Sequence, residues 1–158
     1  MKSGFRMDRE RAKELLSQVE EACLAGTSTE VRQKVVKLLN QVPTYNWVGI
    51  YLVKGNDLHL GAWAGPAATV HTVIPIGKGV CGWAAKSGRT DIVSDVSKDT
   101  RYLECFANTK SEIVVPVHHE GKVVGEIDID SDELNAHSSV DREFLEAVAA
   151  KIANHCVS

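Results

Sequence analysis

Apolar positions along this chain change period twice, from helical to alternating and back, and that order predicts its architecture. From Asp8 to Leu24, Ala12, Leu15, Leu16, Val19 and Cys23 recur at three- and four-residue steps, the spacing of an amphipathic helix that ends near Gly26. Thr27-Ser28-Thr29-Glu30 offers a cap for a second helix, in which Val31, Val35, Leu38 and Leu39 repeat that spacing up to Pro43. A helical pair over 8–41 is expected.

Beyond Pro43 the pattern turns to short apolar or alternating runs. Trp47 to Val53 and Leu58 to Ala64, joined by the turn Lys54-Gly55-Asn56-Asp57, predict an antiparallel hairpin. A third strand is expected from Val70 to Ile74, a short helix from Val80 to Lys86, and a brief strand at Ile92-Val93. Residues Ser94 to Lys110 show no period. Glu112 to His118 and Lys122 to Ile129 flank His119-Glu120-Gly121 as a second hairpin of central strands. Ser138-Ser139-Val140-Asp141 caps a terminal helix over 138–157, carried by Phe144, Leu145, Val148, Ile152 and Cys156.

The predicted class is α+β, a single domain over 1–158 with sheet and pocket at 46–131. An antiparallel sheet is sandwiched between helices, with the N- and C-terminal helices on one face. Long connections within Gly65 to Lys110 cover the other. Unpatterned segments of that length are usually functional, which places a ligand site between them and the sheet.

At 158 residues and 44% hydrophobic, the chain can bury a substantial core. Lys plus Arg number 18 against 21 Asp plus Glu, a net charge of -3, so no basic field exists to hold nucleic acid or an anionic membrane. No apolar run approaches the roughly 20 residues of a membrane span, and Met1 to Arg11 lacks the apolar stretch of a signal peptide. A cytoplasmic location is expected, in which Cys23, Cys81, Cys105 and Cys156 stay free thiols. These cysteines lack CxxC spacing and the histidines lack metal-ligand spacing, so neither a metal nor a bound cofactor is expected.

Cys105 stands out because it lies in the unpatterned stretch, with Lys110 as a nearby cation to stabilise a thiolate; buried packing is the alternative. Cys81 follows Gly77-Lys78-Gly79-Val80 at a helix start, where backbone N–H groups and the dipole favour a thiolate, or it packs as a small residue between glycines. The Gly-Lys-[Ser/Thr] ending of a phosphate-binding loop is absent. Asp128 and Asp130 share one face of a strand end, and hairpin pairing can bring Glu112 beside them. Three acids gathered in a partly dry pocket would share protons or hold an ammonium group; solvated capping aspartates are the alternative. Trp47 and Tyr51 face the same side, as core packing or as a wall around an apolar ligand tail.

Taken together, Asn46-Trp47-Val48-Gly49-Ile50-Tyr51, Ile74-Pro75-Ile76-Gly77-Lys78-Gly79-Val80-Cys81-Gly82, Ser111-Glu112-Ile113-Val114-Val115-Pro116 and Gly125-Glu126-Ile127-Asp128-Ile129-Asp130-Ser131 resemble the free methionine-(R)-sulfoxide reductases, catalytic members of the GAF domain family. The resemblance implies a GAF-like fold and reduction of free L-methionine-(R)-sulfoxide to methionine. Cys105 would be the nucleophile and become a sulfenic acid, recycled by thioredoxin as external reductant. Glu112, Asp128 and Asp130 would contact the sulfoxide oxygen and the amino group, Trp47 and Tyr51 would enclose the methyl end, and the assembly would be a homodimer.

One position departs from that pattern. The family commonly carries a further cysteine ten residues before Cys81, which pairs with the nucleophile, and this chain has His71 there. Cys81 is then the family-matched resolving thiol, with an external thiol as the alternative. His71 also favours the rival reading, a non-catalytic GAF sensor that binds a small effector in the same pocket. A scaffold that dimerises through its helices leaves the acids unexplained.

Overall fold

The computed structural model describes residues 6–104 and 106–157. Helix α1 (Arg9–Ala22) starts at Asp8, whose side chain accepts the Arg11 N–H. Helix α2 (Ser28–Asn40) opens with a capping box in which Thr27 and Glu30 satisfy each other's backbone N–H groups. The strands are β1 (Trp47–Lys54), β2 (Asp57–Ala64), β3 (Val73–Pro75), β4 (Asp91–Val93), β5 (Ser111–His119) and β6 (Lys122–Ser131), with α3 (Gly79–Ser87) before β4 and α4 (Ser139–Ile152) after β6. They form an antiparallel sheet in the order β3-β2-β1-β6-β5-β4.

The expected class holds, an antiparallel sheet between helical layers, with α1, α2 and α4 together on one face. There Val48, Ile50, Leu52, Ile113, Val115, Val117, Ile127 and Ile129 meet Leu15, Val19, Val35, Leu39, Leu145 and Val148. Fully burying each such side chain is worth roughly 1.5–3 kcal/mol. Cys23 packs against this layer and Cys156 is buried within it. The opposite face carries a smaller cluster under α3, formed by Trp47, Tyr51, Leu58, Ile74, Val80, Cys81, Ala84 and Val114.

Boundaries differ from expectation where pairing or side-chain bonding overrides the local pattern. Lys54 and Asp57 pair as strand residues, which shortens the first turn to Gly55-Asn56, with Gly55 at φ 62°. The third strand starts at Val73 rather than Val70, because backbone before it is held by side chains: the Tyr51 hydroxyl donates to the His71 carbonyl and the His71 N–H donates to Thr69. The terminal helix ends at Ile152 in a 3-10 turn over Ala153–His155, whose last carbonyl accepts from Arg32.

A bulge at Gly61 reverses the phase of β2. Ile50 pairs with Ala62 but Tyr51 pairs with Leu60, which leaves Gly61 without an opposite residue. Leu58 and Leu60 thus reach the α3 side, while Ala62 and Ala64 face the helical layer.

Candidate functional site: a buried acid column under helix α3

Strand β6 is central, and its even-numbered residues point to the α3 side. Glu126, Asp128 and Asp130 therefore form a column at 0%, 2% and 2% exposure, where solvent contributes almost nothing to their hydration. Register decides their neighbours. On β1, Trp47, Gly49 and Tyr51 lie opposite Asp130, Asp128 and Glu126; on β5, Glu112, Val114 and Pro116 lie opposite the same three.

The acid column thus runs between an aromatic strand and the strand that carries Glu112. A side chain at Gly49 would collide with the Trp47 ring, so glycine there lets the indole lie along the strand. Trp47 Nε1 donates to the Ala67 carbonyl at 3.1 Å, and the ring stacks with Trp63 at 6.4 Å and meets Phe106, tilted, at 5.9 Å.

Helix α3 closes the column from above. Gly82 lets it approach β3, since a Cβ there would lie 2.7 Å from the Pro75 carbonyl oxygen. That approach lowers Cys81 onto the acids, with Sγ 3.9 Å from Glu112 Oε2. One potential ligand atom from each of Cys81, Glu112 and Asp128 lies within 4.8 Å of the others. His71, Ile74, Val80 and Leu103 join these three around a chamber of about 10 Å³, room for a single water-sized species.

Electrostatics here run against the thiolate expected at Cys81. Burial, then the charges of Asp128, Glu126, Glu112 and Asp130, push its thiol well above the ordinary range. About half a unit charge at a helix N-terminus does not outweigh a desolvated site ringed by four carboxyl groups. Burial likewise raises Glu126, Asp128 and Asp130, with the Asp128 charge adding to the rise at Glu126 and Asp130. Among the described residues, both Glu126 carboxyl oxygens and one oxygen each of Asp128 and Asp130 have no hydrogen-bond partner. Desolvation thus disfavours the charged form of each acid, and these acceptors go unsatisfied.

Of the sequence-derived candidates, Trp47, Tyr51, Cys81, Glu112, Asp128 and Asp130 all come together on this face. Cys105 lies outside the described residues. Its chain neighbours belong to the site side: Leu103 lines the chamber, Phe106 meets Trp47, and the Glu104 carbonyl lies 3.0 Å from His71 Nε2. Tyr51 differs from expectation in that its hydroxyl holds the His71 carbonyl at 2.7 Å, so it ties down the strand edge.

Glu126 and Phe106 are site-face residues that sequence reasoning missed. Glu126 was detectable, because Glu126-Ile127-Asp128-Ile129-Asp130 continues the two-residue repeat that marked the aspartates. Phe106 sits in the unpatterned stretch and carried no such signal.

The pattern of the GAF domain matches residues 29–156. A GAF domain-containing protein A of Dictyostelium discoideum is 36% identical over 148 residues, covering 92% of each chain. A free methionine-R-sulfoxide reductase of Saccharomyces cerevisiae is 44% identical over 116 residues, 71% of this chain and 63% of that one. The X-ray structure of a free methionine-R-sulfoxide reductase from Neisseria meningitidis, in complex with its substrate, superposes with a TM-score of 0.86 at 30% identity, covering 98% of this chain and 95% of the other. With the sheet order, the α3 cover and these likenesses in agreement, the chain belongs to the GAF domain family, among the relatives of the free methionine-R-sulfoxide reductases.

Proposed function

We propose that this chain reduces free methionine-(R)-sulfoxide to methionine. The observation that carries the proposal is the cluster of Asp128 and Asp130 with Glu112 on the adjacent strand, buried beside the Trp47 wall in a chain whose relatives include reductases of that name. A zwitterionic substrate brings an ammonium donor to the orphaned oxygens of Asp128 and Asp130, while its methyl-thioether end suits the aromatic wall. Entry of an amino acid requires outward movement of the chamber wall that bears Leu103.

In the proposed reaction the Cys105 thiolate attacks the sulfoxide sulfur and a protonated carboxyl group gives its proton to the oxygen. Burial, which holds Asp128 and Asp130 above the usual carboxylate range, favours the protonated form that such a donor needs. Oxygen passes to the cysteine as a sulfenic acid and methionine leaves. A second thiol then condenses with the sulfenic acid, releasing water and forming a disulfide that thioredoxin reduces. With His71 at the usual resolving position, that second thiol is Cys81 or an external one. The raised Cys81 thiol favours the external route unless the acids are first neutralised by substrate or protons.

The deciding experiment is a coupled NADPH-oxidation assay with thioredoxin, thioredoxin reductase and free methionine-(R)-sulfoxide. Turnover is expected. Thermal stabilisation by methionine or its sulfoxide without turnover would instead select the sensor reading that His71 favours.

A further inference from the structure

Cys81, Glu112 and Asp128 come from three different elements, α3, β5 and β6, and are 6%, 4% and 2% exposed. Their facing atoms fall within 4.8 Å of one another around a chamber sized for one water or ion. In a tetrahedral zinc site, metal bonds of about 2.0 Å to oxygen and 2.3 Å to sulfur put two oxygen ligands about 3.3 Å apart and sulfur about 3.5 Å from oxygen. The Cys81 Sγ to Glu112 Oε2 separation of 3.9 Å is within a rotamer adjustment of that spacing.

A second observation concerns hydrogen-bond satisfaction within the chamber. Asp128 lines the chamber, and one of its buried oxygens has no hydrogen-bond partner among the described residues. An orphaned carboxyl oxygen in a dry chamber is costly, and a ligand that it can contact removes that cost.

We propose that Cys81, Glu112 and Asp128 form a binding site for one thiophilic divalent cation of the zinc and cadmium class. Carboxyl groups alone would accept a magnesium or calcium ion as well as an organic ammonium. The thiol narrows the choice, because soft sulfur donors favour zinc, cadmium and copper over hard cations. A thiolate and two carboxylates carry three negative charges against two positive, so the bound ion leaves a net charge of minus one and a fourth position for water. His71 lines the same chamber but keeps Nε2 against the Glu104 carbonyl, outside the ligand set. A cation seated here occupies Asp128, so it excludes an organic ligand that needs the same acid. Spacing along the chain could not reveal such a site, since its ligands lie 31 and 16 residues apart and meet only through the β5–β6 register and the descent of α3.

The inference rests on geometry and not on the proposed reductase activity, and its test needs no turnover. A variant carrying Cys23→Ser, Cys105→Ser and Cys156→Ser keeps Cys81 as its sole cysteine. Titration with cadmium chloride should produce a thiolate-to-cadmium charge-transfer band that saturates at one equivalent and is displaced by zinc chloride. Adding Cys81→Ser should abolish the band. Asp128→Asn and Glu112→Gln, with native circular dichroism, should each weaken cadmium binding by about tenfold or more. Absence of the band in the sole-thiol variant would overturn the proposal, as would cadmium affinity unchanged by both acid substitutions, which would reduce the site to a lone thiol. Should the triple variant fold poorly, calorimetry on the native chain and on Cys81→Ser alone decides: loss of one zinc site supports the proposal, and equal stoichiometry defeats it. A chain that binds cadmium yet never reduces methionine sulfoxide would refute the function and leave the metal site standing.

Discussion

Both faces of the sheet bury acids, and they treat them differently. On the helical side, Asp141 is fully buried, yet one carboxyl oxygen accepts the Tyr45 hydroxyl at 2.6 Å and the other accepts the Ser138 N–H at 2.8 Å and hydroxyl at 3.1 Å. That acid completes a capping box and anchors α4 to the segment before β1. Under α3, Glu126, Asp128 and Asp130 are as buried and keep unsatisfied oxygens. A satisfied buried acid is part of the frame, whereas an unsatisfied one is maintained at a cost to stability and marks a place for a ligand. Burial alone separates nothing here; satisfaction does.

Activity gives the sharpest contrast between the faces. Cys105→Ser should lower turnover by about three orders of magnitude or more, roughly 4 kcal/mol, as expected for loss of a nucleophile. Cys23→Ser and Cys156→Ser, on the helical side, should leave it within about twofold because neither thiol approaches the acids. Coupled assays on the purified variants measure this, and a tenth of wild-type activity in Cys105→Ser would eliminate that thiol as nucleophile.

Next in size is the stability of the frame. Asp141→Ala removes the N3 acid of the α4 capping box and strands the buried Tyr45 hydroxyl, costing about 3 kcal/mol in urea unfolding. Asp130→Asn should stay within about 1 kcal/mol of wild type, because it keeps the side chain's shape and removes a carboxyl group whose charged form burial disfavours. Equal losses would collapse the distinction between the two sets of acids.

Substrate choice probes the acids from outside. N-acetylation of methionine-(R)-sulfoxide removes the ammonium group and should lower kcat/KM by roughly a hundredfold, about 2.7 kcal/mol. Comparable values for the free and acetylated forms would show that the acids do not read that group.

The smallest effect is in the pH dependence of stability, where the two faces oppose each other. Glu126 has its folded pKa raised by burial and by the Asp128 charge, so its contribution is complete below the ordinary carboxylate range and is lost as pH rises through the folded value. On the helical side, burial lowers His137 from 6.5 to about 4, so its contribution is present above 6.5 and lost as pH falls through about 4. Glu126→Gln should therefore gain stability relative to wild type between about pH 5 and about pH 9. Thermal unfolding at both pH values checks the sign, and a variant less stable at pH 9 would mean that Glu126 has a partner in the frame.

Much of this molecule was readable before its fold, because periodicity is a local property. Steps of three and four residues marked α1, α2 and α4, and the two-residue repeat put Asp128 and Asp130 on one face with Trp47 and Tyr51 on their own. The same repeat contained Glu126, two residues before Asp128 and further from the strand end. What eluded the pattern depended on partners distant in sequence: the β3 boundary set by the Tyr51 hydroxyl, the phase reversal at Gly61, and Phe106 against Trp47.

Sequence by itself determined the α+β class, the order of elements and which residue types could share a face, since helix and strand periods act over a few residues. Only the tertiary structure decided what those residues experience. Cys81 illustrates the difference: its place at a helix start suggested a stabilised thiolate, and the descent of α3 onto four carboxyl groups reversed that sign. Desolvation and hydrogen-bond satisfaction are summed over every neighbour in space, so a chain read along its length holds the groups but not the balance among them.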